Sequence, residues 1–329
     1  MFQISIGAIN RLEEKEFDVV IVGGGPAGCT AALYSRRFNL STLVISERFG
    51  GLITDAEIVE NYPGIPNISG GQLGELFVNH AKKYGARFYQ ARVEKIYRKD
   101  TKFFSKLSDG TEVSSKTIIL ATGERHRKLN VPGEREFLGK GVSYCAVCDA
   151  PLFKGKKVAI VGGGNVAFSD AQVLAKHASE VYLVHRRNWF RADPIEVERV
   201  KKTSNIKLIT PYVVKEIRGK KSVEKIILEK TKEENGKVIP TGETKELDVD
   251  GVFIAIGLIP NSELARQIGA KINERGYIVV DDFMRTTVDG VFAAGDCTDK
   301  ASRFRQVVVS AAQGAIAAIS VFNYLKSSK

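Results

Sequence analysis

Phe17-Asp18-Val19-Val20-Ile21-Val22-Gly23-Gly24-Gly25-Pro26-Ala27-Gly28 is the stretch on which the reading of this chain turns. Its apolar half, rich in β-branched residues, reads as a buried strand. The strand enters a glycine turn, and the turn leads into a helix-like segment, Cys29–Phe38, and then a second apolar strand, Thr42–Ile45. Strand, turn, helix and strand within about 30 residues form the opening βαβ unit of a dinucleotide-binding domain. In such a turn Gly23 makes the tight bend, Gly25 lets backbone approach a pyrophosphate, and Gly28 lets helix pack on strand. Pro26 and Ala27 complete the turn before the helix, whose unpaired N–H groups and positive end face the phosphates.

The pattern recurs. Lys157–Val161 enters Gly162-Gly163-Gly164-Asn165-Val166-Ala167, followed by the helix-like Phe168–Lys176 and the strand Val181–Val184. Ala167 replaces the third glycine and is still small enough for close packing. The copies also close alike, in Ile118-Ile119-Leu120-Ala121-Thr122-Gly123 and Val252-Phe253-Ile254-Ala255-Ile256-Gly257. A third strand of this kind, Val291-Phe292-Ala293-Ala294-Gly295-Asp296, lies near the C-terminus. One such glycine motif is weak; two in matching context are specific. The predicted fold class is α/β, with two Rossmann-like dinucleotide-binding domains.

The copies differ where a ribose 2′ position should fall. In the first, Glu47 follows Ser46 and stands 24 positions beyond Gly23. A carboxylate there accepts hydrogen bonds from free ribose hydroxyls, as in FAD or NAD. In the second, the same offset from Gly162 is Arg186, within His185-Arg186-Arg187-Asn188-Trp189-Phe190-Arg191. Guanidinium groups grip a 2′-phosphate that a carboxylate would repel. The first copy therefore favours FAD and the second NADPH; the alternative for the arginines is a solvated basic face.

Cys145-Ala146-Val147-Cys148-Asp149 precedes the second glycine turn. Two thiols at this spacing can close a disulfide across one turn, and a helix-end setting lowers thiolate pKa. Core cysteines or half a metal site are the alternatives, but no second ligand pair exists for a structural zinc, so no metal is expected. Asp149 is a candidate proton donor and acceptor, or a turn cap. Cys29, Cys297, His80, His126 and His177 lack any such partner spacing and read as structural.

At 329 residues the chain can hold two domains. Its net charge is +11 and its pI near 9.4. The basic residues are spread along the chain, which favours a solvated surface over a nucleic-acid face, with the arginine cluster as the exception. Val307–Phe322 is apolar but interrupted by Ser310, Gln313, Gly314 and Ser320, suiting a buried helix better than a membrane span. Met1–Glu16 lacks a basic flank followed by an apolar run and carries Glu13, Glu14 and Glu16, so no leader is expected and the default compartment is the cytoplasm.

From Phe17 onward the chain resembles the low-molecular-weight thioredoxin reductases, within the pyridine nucleotide-disulfide oxidoreductases. The matching signatures are Gly23–Gly28, Glu60-Asn61-Tyr62-Pro63-Gly64, Ala121-Thr122-Gly123, Cys145–Asp149, Gly162–Ala167, His185–Arg191, Gly295-Asp296 and Arg305-Gln306. The resemblance implies a discontinuous FAD domain, residues 1–126 and 255–329, with an NADPH domain at 127–254 inserted. It implies Gly51, Leu52, Thr54 and Asn61 at the flavin and the Val93 backbone at the adenine. Asp296 would hold the ribityl or pyrophosphate region, and Arg305, Gln306 and Val307 would approach the isoalloxazine. The positive end of a helix starting at 306–307 would independently favour an anionic reduced flavin.

The implied chemistry runs from NADPH through FAD and the disulfide to thioredoxin or a glutaredoxin-like protein. Cys148 would face the flavin and Cys145 attack the partner. Arg127–Pro132 and Gly257–Pro260 would be hinges, and a homodimer is the implied assembly. Two departures stand out: Ser46 occupies the usual acidic offset, leaving Glu47 as the ribose ligand, and Leu52 replaces the Gln common after the paired glycines. A dithiol oxidase would tend to lose the nicotinamide-binding residues, and an inactive binding protein would lose Cys145 or Cys148. All of these are present.

Overall fold

The computed structural model describes residues 12–56, 59, 61–301 and 305–327. Glu60 of the Glu60–Gly64 signature and most of the N-terminal extension, residues 1–11, lie outside the described residues. The chain divides into two compact units, one running to Arg125 and resuming at Ile259, the other spanning His126–Leu258. Glu124–His126 and Leu258–Pro260 form a two-stranded sheet of their own.

In the first unit the strand Glu16–Gly24 lies between Thr42–Phe49 and Glu112–Leu120, parallel to both. Arg87–Gln90 extends the sheet beyond Thr42–Phe49, and Val291–Ala293 pairs parallel with Glu112–Leu120. Val93–Lys99 and Lys102–Leu107 add an antiparallel edge. Val19, Val20 and Ile21 are fully buried, as expected of a parallel strand covered on both faces. The helix Pro26–Arg37 starts with proline in its first turn, earlier than the glycine pattern alone marks. Thr42–Phe49 outlasts its predicted end at Ile45, because buried Phe49 returns the strand to the core beside Phe88.

The apolar C-terminal segment forms the helix Val307–Ser327. Ser310, Gln313, Gly314, Ala317, Ala318 and Val321 are buried along it. It packs on Pro26–Arg37 so closely that a Cβ on Gly314 would come within 2.2 Å of the Ala27 carbonyl oxygen. The interrupting small and polar residues are what permit this approach.

The second unit has a parallel sheet in the order Ile206–Ile209, Glu180–Val184, Lys157–Val161, Gly251–Ile254, Val142–Ser143. The helix Asn165–Ala175 begins right after Gly164, three residues before the predicted start at Phe168. Three long antiparallel strands, Tyr212–Gly219, Val223–Glu234 and Lys237–Asp248, form a further layer that hydrophobic spacing alone did not mark.

Candidate functional site

In the first unit two of the glycines are held where no side chain fits. Gly23 has φ +113°, and a Cβ there would lie 2.1 Å from the Ala121 carbonyl oxygen. A Cβ on Gly28 would lie 1.9 Å from the Gly23 carbonyl oxygen, so the helix can reach the strand only without one. Gly25, by contrast, has nothing nearer than the Gly51 Cα at 3.7 Å, and Gly123 has nothing within 4 Å. Two glycines with open space in front of them form a cradle where any side chain would intrude on a bound pyrophosphate. The residues present therefore fit a dinucleotide.

Around that cradle the Gly50 N–H donates to the Gly24 carbonyl at 2.8 Å, which carries Gly51 and Leu52 to the glycine turn. The Thr54 hydroxyl donates to the Gly51 carbonyl at 2.9 Å, and Arg48 contacts both Thr54 and Asp55. Asn61 Nδ2 donates to Gln306 Oε1 at 2.9 Å, joining two residues far apart in sequence. Glu47 is exposed at the strand end and Val93 is buried at the start of its own strand. Asp296 is held by the Ser310 hydroxyl at 3.0 Å; burial raises its carboxyl above the usual range, with Ser310 and Arg305 opposing. The Gly295 N–H donates to Gln313 on the C-terminal helix at 2.8 Å.

In the second unit the turn Gly162–Gly164 repeats the arrangement. A Cβ on Gly162 would meet the Ala167 Cβ at 2.5 Å, while Gly164 has nothing within 4 Å. Val166 is exposed and Ala167 buried at the helix start. Asn165 Nδ2 donates to Asp193 Oδ2 at 3.0 Å, and the Asp193 N–H donates back to Asn165 Oδ1 at 2.7 Å. These two line a cleft of about 750 Å³ together with Gln172, Glu196, Arg199 and Thr203.

The loop after Glu180–Val184 folds over the glycine turn, with the Arg191 N–H donating to the Gly163 carbonyl at 2.8 Å. His185 is buried, and its imidazole is pushed down to about 4 by burial and by Arg186, Arg187 and Arg191. It is thus a neutral ring packed on the turn. Arg186 and Arg191 are exposed. Arg187 is largely covered: its Nε lies 3.4 Å from Glu233 Oε1, and its guanidinium sits 5.0 Å from the Trp189 ring centre. Burial and the charges of Arg187, Arg191 and Arg127 all bear against the protonated form of Arg186. Such a like-charge cluster is relieved by a multiply charged anion.

Cys145 and Cys148 are joined as a disulfide, with Cα atoms 5.4 Å apart. Cys145 caps the one-turn helix Ala146–Asp149, its sulfur accepting from the Cys148 N–H at 3.2 Å. The Ser143 hydroxyl is hydrogen-bonded to the Cys145 N–H at 3.0 Å and fixes the entry to the turn. Cys148 is exposed, Cys145 half-buried, and Asp149 follows on the same turn. Nearby Glu134 accepts from the Leu129 and Asn130 N–H groups and from the Tyr144 hydroxyl, bracing the segment before the turn. The remaining cysteines are packing residues: Cys29 is pushed up to about 12 by burial, and burial also raises Cys297. Both are buried.

Three residues that spacing did not reveal join these sites. Glu233 pairs with Arg187, and Glu124 and Tyr277 surround Arg305. None lies within a motif, and each is brought in by a strand or loop distant in sequence.

Two dinucleotide-binding units and a redox-active disulfide turn define a flavin- and nicotinamide-nucleotide-binding disulfide oxidoreductase. The chain belongs to the pyridine nucleotide-disulphide oxidoreductase family, whose profile matches residues 17–314. It is 42% identical to a thioredoxin reductase of Bacillus subtilis over 323 residues, covering 95% of this chain and 96% of the relative. Among solved structures it is similar to thioredoxin reductase from Lactococcus lactis, with TM-score 0.83 and 36% identity over 94% of this chain and 99% of that one. The T. acidophilum thioredoxin reductase gives TM-score 0.81 and 38% identity, covering 96% of this chain and all of that one.

Proposed function

We propose that this protein is an NADPH-dependent, FAD-containing thioredoxin-disulfide reductase. The observation that carries the proposal is the Cys145–Cys148 disulfide on a one-turn helix that leaves Cys148 exposed, in a chain that also has two dinucleotide cradles. FAD would rest on Gly23–Gly28, Gly51, Leu52, Thr54, Asn61, Ala121–Gly123 and Gly295–Asp296, with Val93 toward its adenine. NADPH would rest on Gly162–Ala167, with Arg186 and Arg191 toward its 2′-phosphate. When bound, the flavin supplies two-electron chemistry between the nicotinamide and the disulfide.

The residues of the chain do the rest. Reduction breaks the Cys145–Cys148 bond and leaves two thiols, one of which attacks the partner disulfide as a thiolate. The second thiol then resolves the mixed disulfide and restores the Cys145–Cys148 bond. Asp149, one residue beyond Cys148, is the carboxylate suited to hold and return a proton during this exchange. The net reaction consumes NADPH, a proton and a partner disulfide, and yields NADP and a partner dithiol. The resemblance extends the proposal to a cytoplasmic homodimer.

The test is anaerobic oxidation of NADPH by the purified holoprotein with oxidised thioredoxin, and separately a glutaredoxin-like protein, as acceptor. Stoichiometric thiol release supports the proposal. NADPH oxidation that runs only when oxygen is admitted, with no acceptor thiols formed, would sink it in favour of an oxidase.

A further inference from the structure

Glu124 stands one residue beyond Gly123, where the strand Glu112–Leu120 has just delivered the Ala121-Thr122-Gly123 turn. Its side chain is completely buried. A buried carboxylate needs partners, and two reach it from distant parts of the chain. The Tyr277 hydroxyl donates to Oε1 at 2.8 Å, and Arg305 Nε lies 3.0 Å from Oε2. Arg305 also contacts the Tyr277 hydroxyl and sits 5.7 Å from its ring centre. Burial raises the Glu124 carboxyl while Tyr277 and Arg305 work against that rise. Asp296, half-buried, also feels the Arg305 charge. One guanidinium thus pairs with a buried carboxylate and acts through its charge on a half-buried one.

Arg305 and Gln306 lead into the helix Val307–Ser327, whose positive end and Arg305 both favour a negative charge in front of them. Gln306 is tied to Asn61 on the other side. We propose that Glu124, its carboxylate held by the Tyr277 hydroxyl, is a positioning residue that pairs with the Arg305 guanidinium and offsets its charge at the flavin site. The inference rests on reading this unit as the flavin unit. Glu124 lowers the effective positive charge in front of the helix and therefore makes the bound flavin harder to reduce than a neutral residue would. Tyr277 fixes geometry without contributing charge.

The experiment equilibrates holoprotein and variants with a reference dye of known potential under anaerobic conditions. Glu124→Gln keeps the size and hydrogen-bonding atoms but removes the charge; its flavin equilibrium should move at least tenfold toward the reduced form, about 30 mV for this two-electron couple. Arg305→Gln should move it at least tenfold the other way, and the double variant should return to within threefold of wild type. Tyr277→Phe, which removes no charge, should stay within threefold. An unchanged equilibrium in Glu124→Gln, or an equal shift in Tyr277→Phe, overturns the inference. Should Glu124→Gln come out without flavin, the double variant read against Arg305→Gln decides, and an unchanged equilibrium between those two overturns the inference equally. A wild-type protein that cannot be loaded with FAD fails earlier, at the reading of the unit itself.

Discussion

The imidazole of His185 lies against Gly163, so near that a Cβ on the glycine would fall 2.2 Å from His185 Cε1. The middle glycine of the second turn is therefore required by a protein side chain, in addition to any ligand. Gly163→Ala should destabilise the unit His126–Leu258 by about 1–3 kcal/mol, the usual cost of forcing atoms into a filled site. It should weaken nicotinamide nucleotide binding at the same time. Denaturant unfolding in the absence of nucleotide separates the two effects; unchanged stability would show that the ring moves aside freely.

Two groups in that unit titrate in opposite senses. Burial pushes the Asp170 carboxyl up to about 6. A raised acid favours the folded state only while protonated, so this contribution is lost as pH rises from about 4 through 6. Asp170→Asn should add stability on the order of 1–3 kcal/mol at pH 8 and none at pH 4. His185, pushed down to about 4, behaves oppositely: its stabilisation is present above its ordinary pKa near 6.5 and lost as pH falls through 4. Thermal unfolding of wild type, Asp170→Asn and His185→Gln between pH 4 and 8 reads both slopes. A gain from Asp170→Asn that is equal at the two pH extremes would contradict the burial argument.

Nicotinamide preference should rest unequally on the arginines. Arg186 and Arg191 are exposed, whereas Arg187 is engaged by Glu233 and Trp189. A charge-assisted hydrogen bond contributes about 1.5–3 kcal/mol, so Arg186→Ala and Arg191→Ala should each weaken NADPH binding about tenfold or more. NADH binding should change little. Arg187→Ala should cost less than either, and Glu233→Gln, by releasing Arg187, should tighten NADPH. Titration calorimetry with both nucleotides checks the order; wild type binding them equally would remove the 2′-phosphate assignment.

The two thiols should separate cleanly by mutation. Cys145→Ser and Cys148→Ser should each abolish disulfide reduction, because exchange needs both sulfurs. Both variants should retain flavin and its reduction by NADPH. Cys148→Ser leaves Cys145 to form a lasting mixed disulfide with thioredoxin, visible on a non-reducing gel. If Cys145→Ser traps the partner and Cys148→Ser does not, the roles are exchanged; full turnover in either variant would move the catalytic centre elsewhere.

Much of this architecture was legible in local pattern. Val19–Val22 and Val158–Val161 could only be buried strands, since each is an unbroken apolar run ending in glycine. Gly28 and Gly162 could be assigned by spacing because their task is steric and local: a Cβ at each would strike the Gly23 backbone or the Ala167 Cβ, five residues away. The cysteine pair was equally plain, since closure across one turn needs only two intervening residues. Element ends were less legible. Thr42–Phe49 and Asn165–Ala175 overran their predicted limits because Phe49 is anchored by the core and the helix starts directly at the glycine turn.

What the amino-acid order determined by itself, then, is whatever depends on neighbours a few residues apart: strand, turn, helix, and the chemistry of a Cys-x-x-Cys turn. What only tertiary structure decided is which charges meet. Glu124 and Tyr277 are 153 residues apart, and Arg187 and Glu233 are 46 apart. No periodicity links such positions, because each pairing is set by where separate strands and loops converge. The same convergence buried His185 against Gly163 and left Arg186 and Arg191 in solvent. A charged side chain has the same chemistry in every sequence. Its burial and its partners fix how much of its charge remains for a ligand, and those are properties of the folded chain.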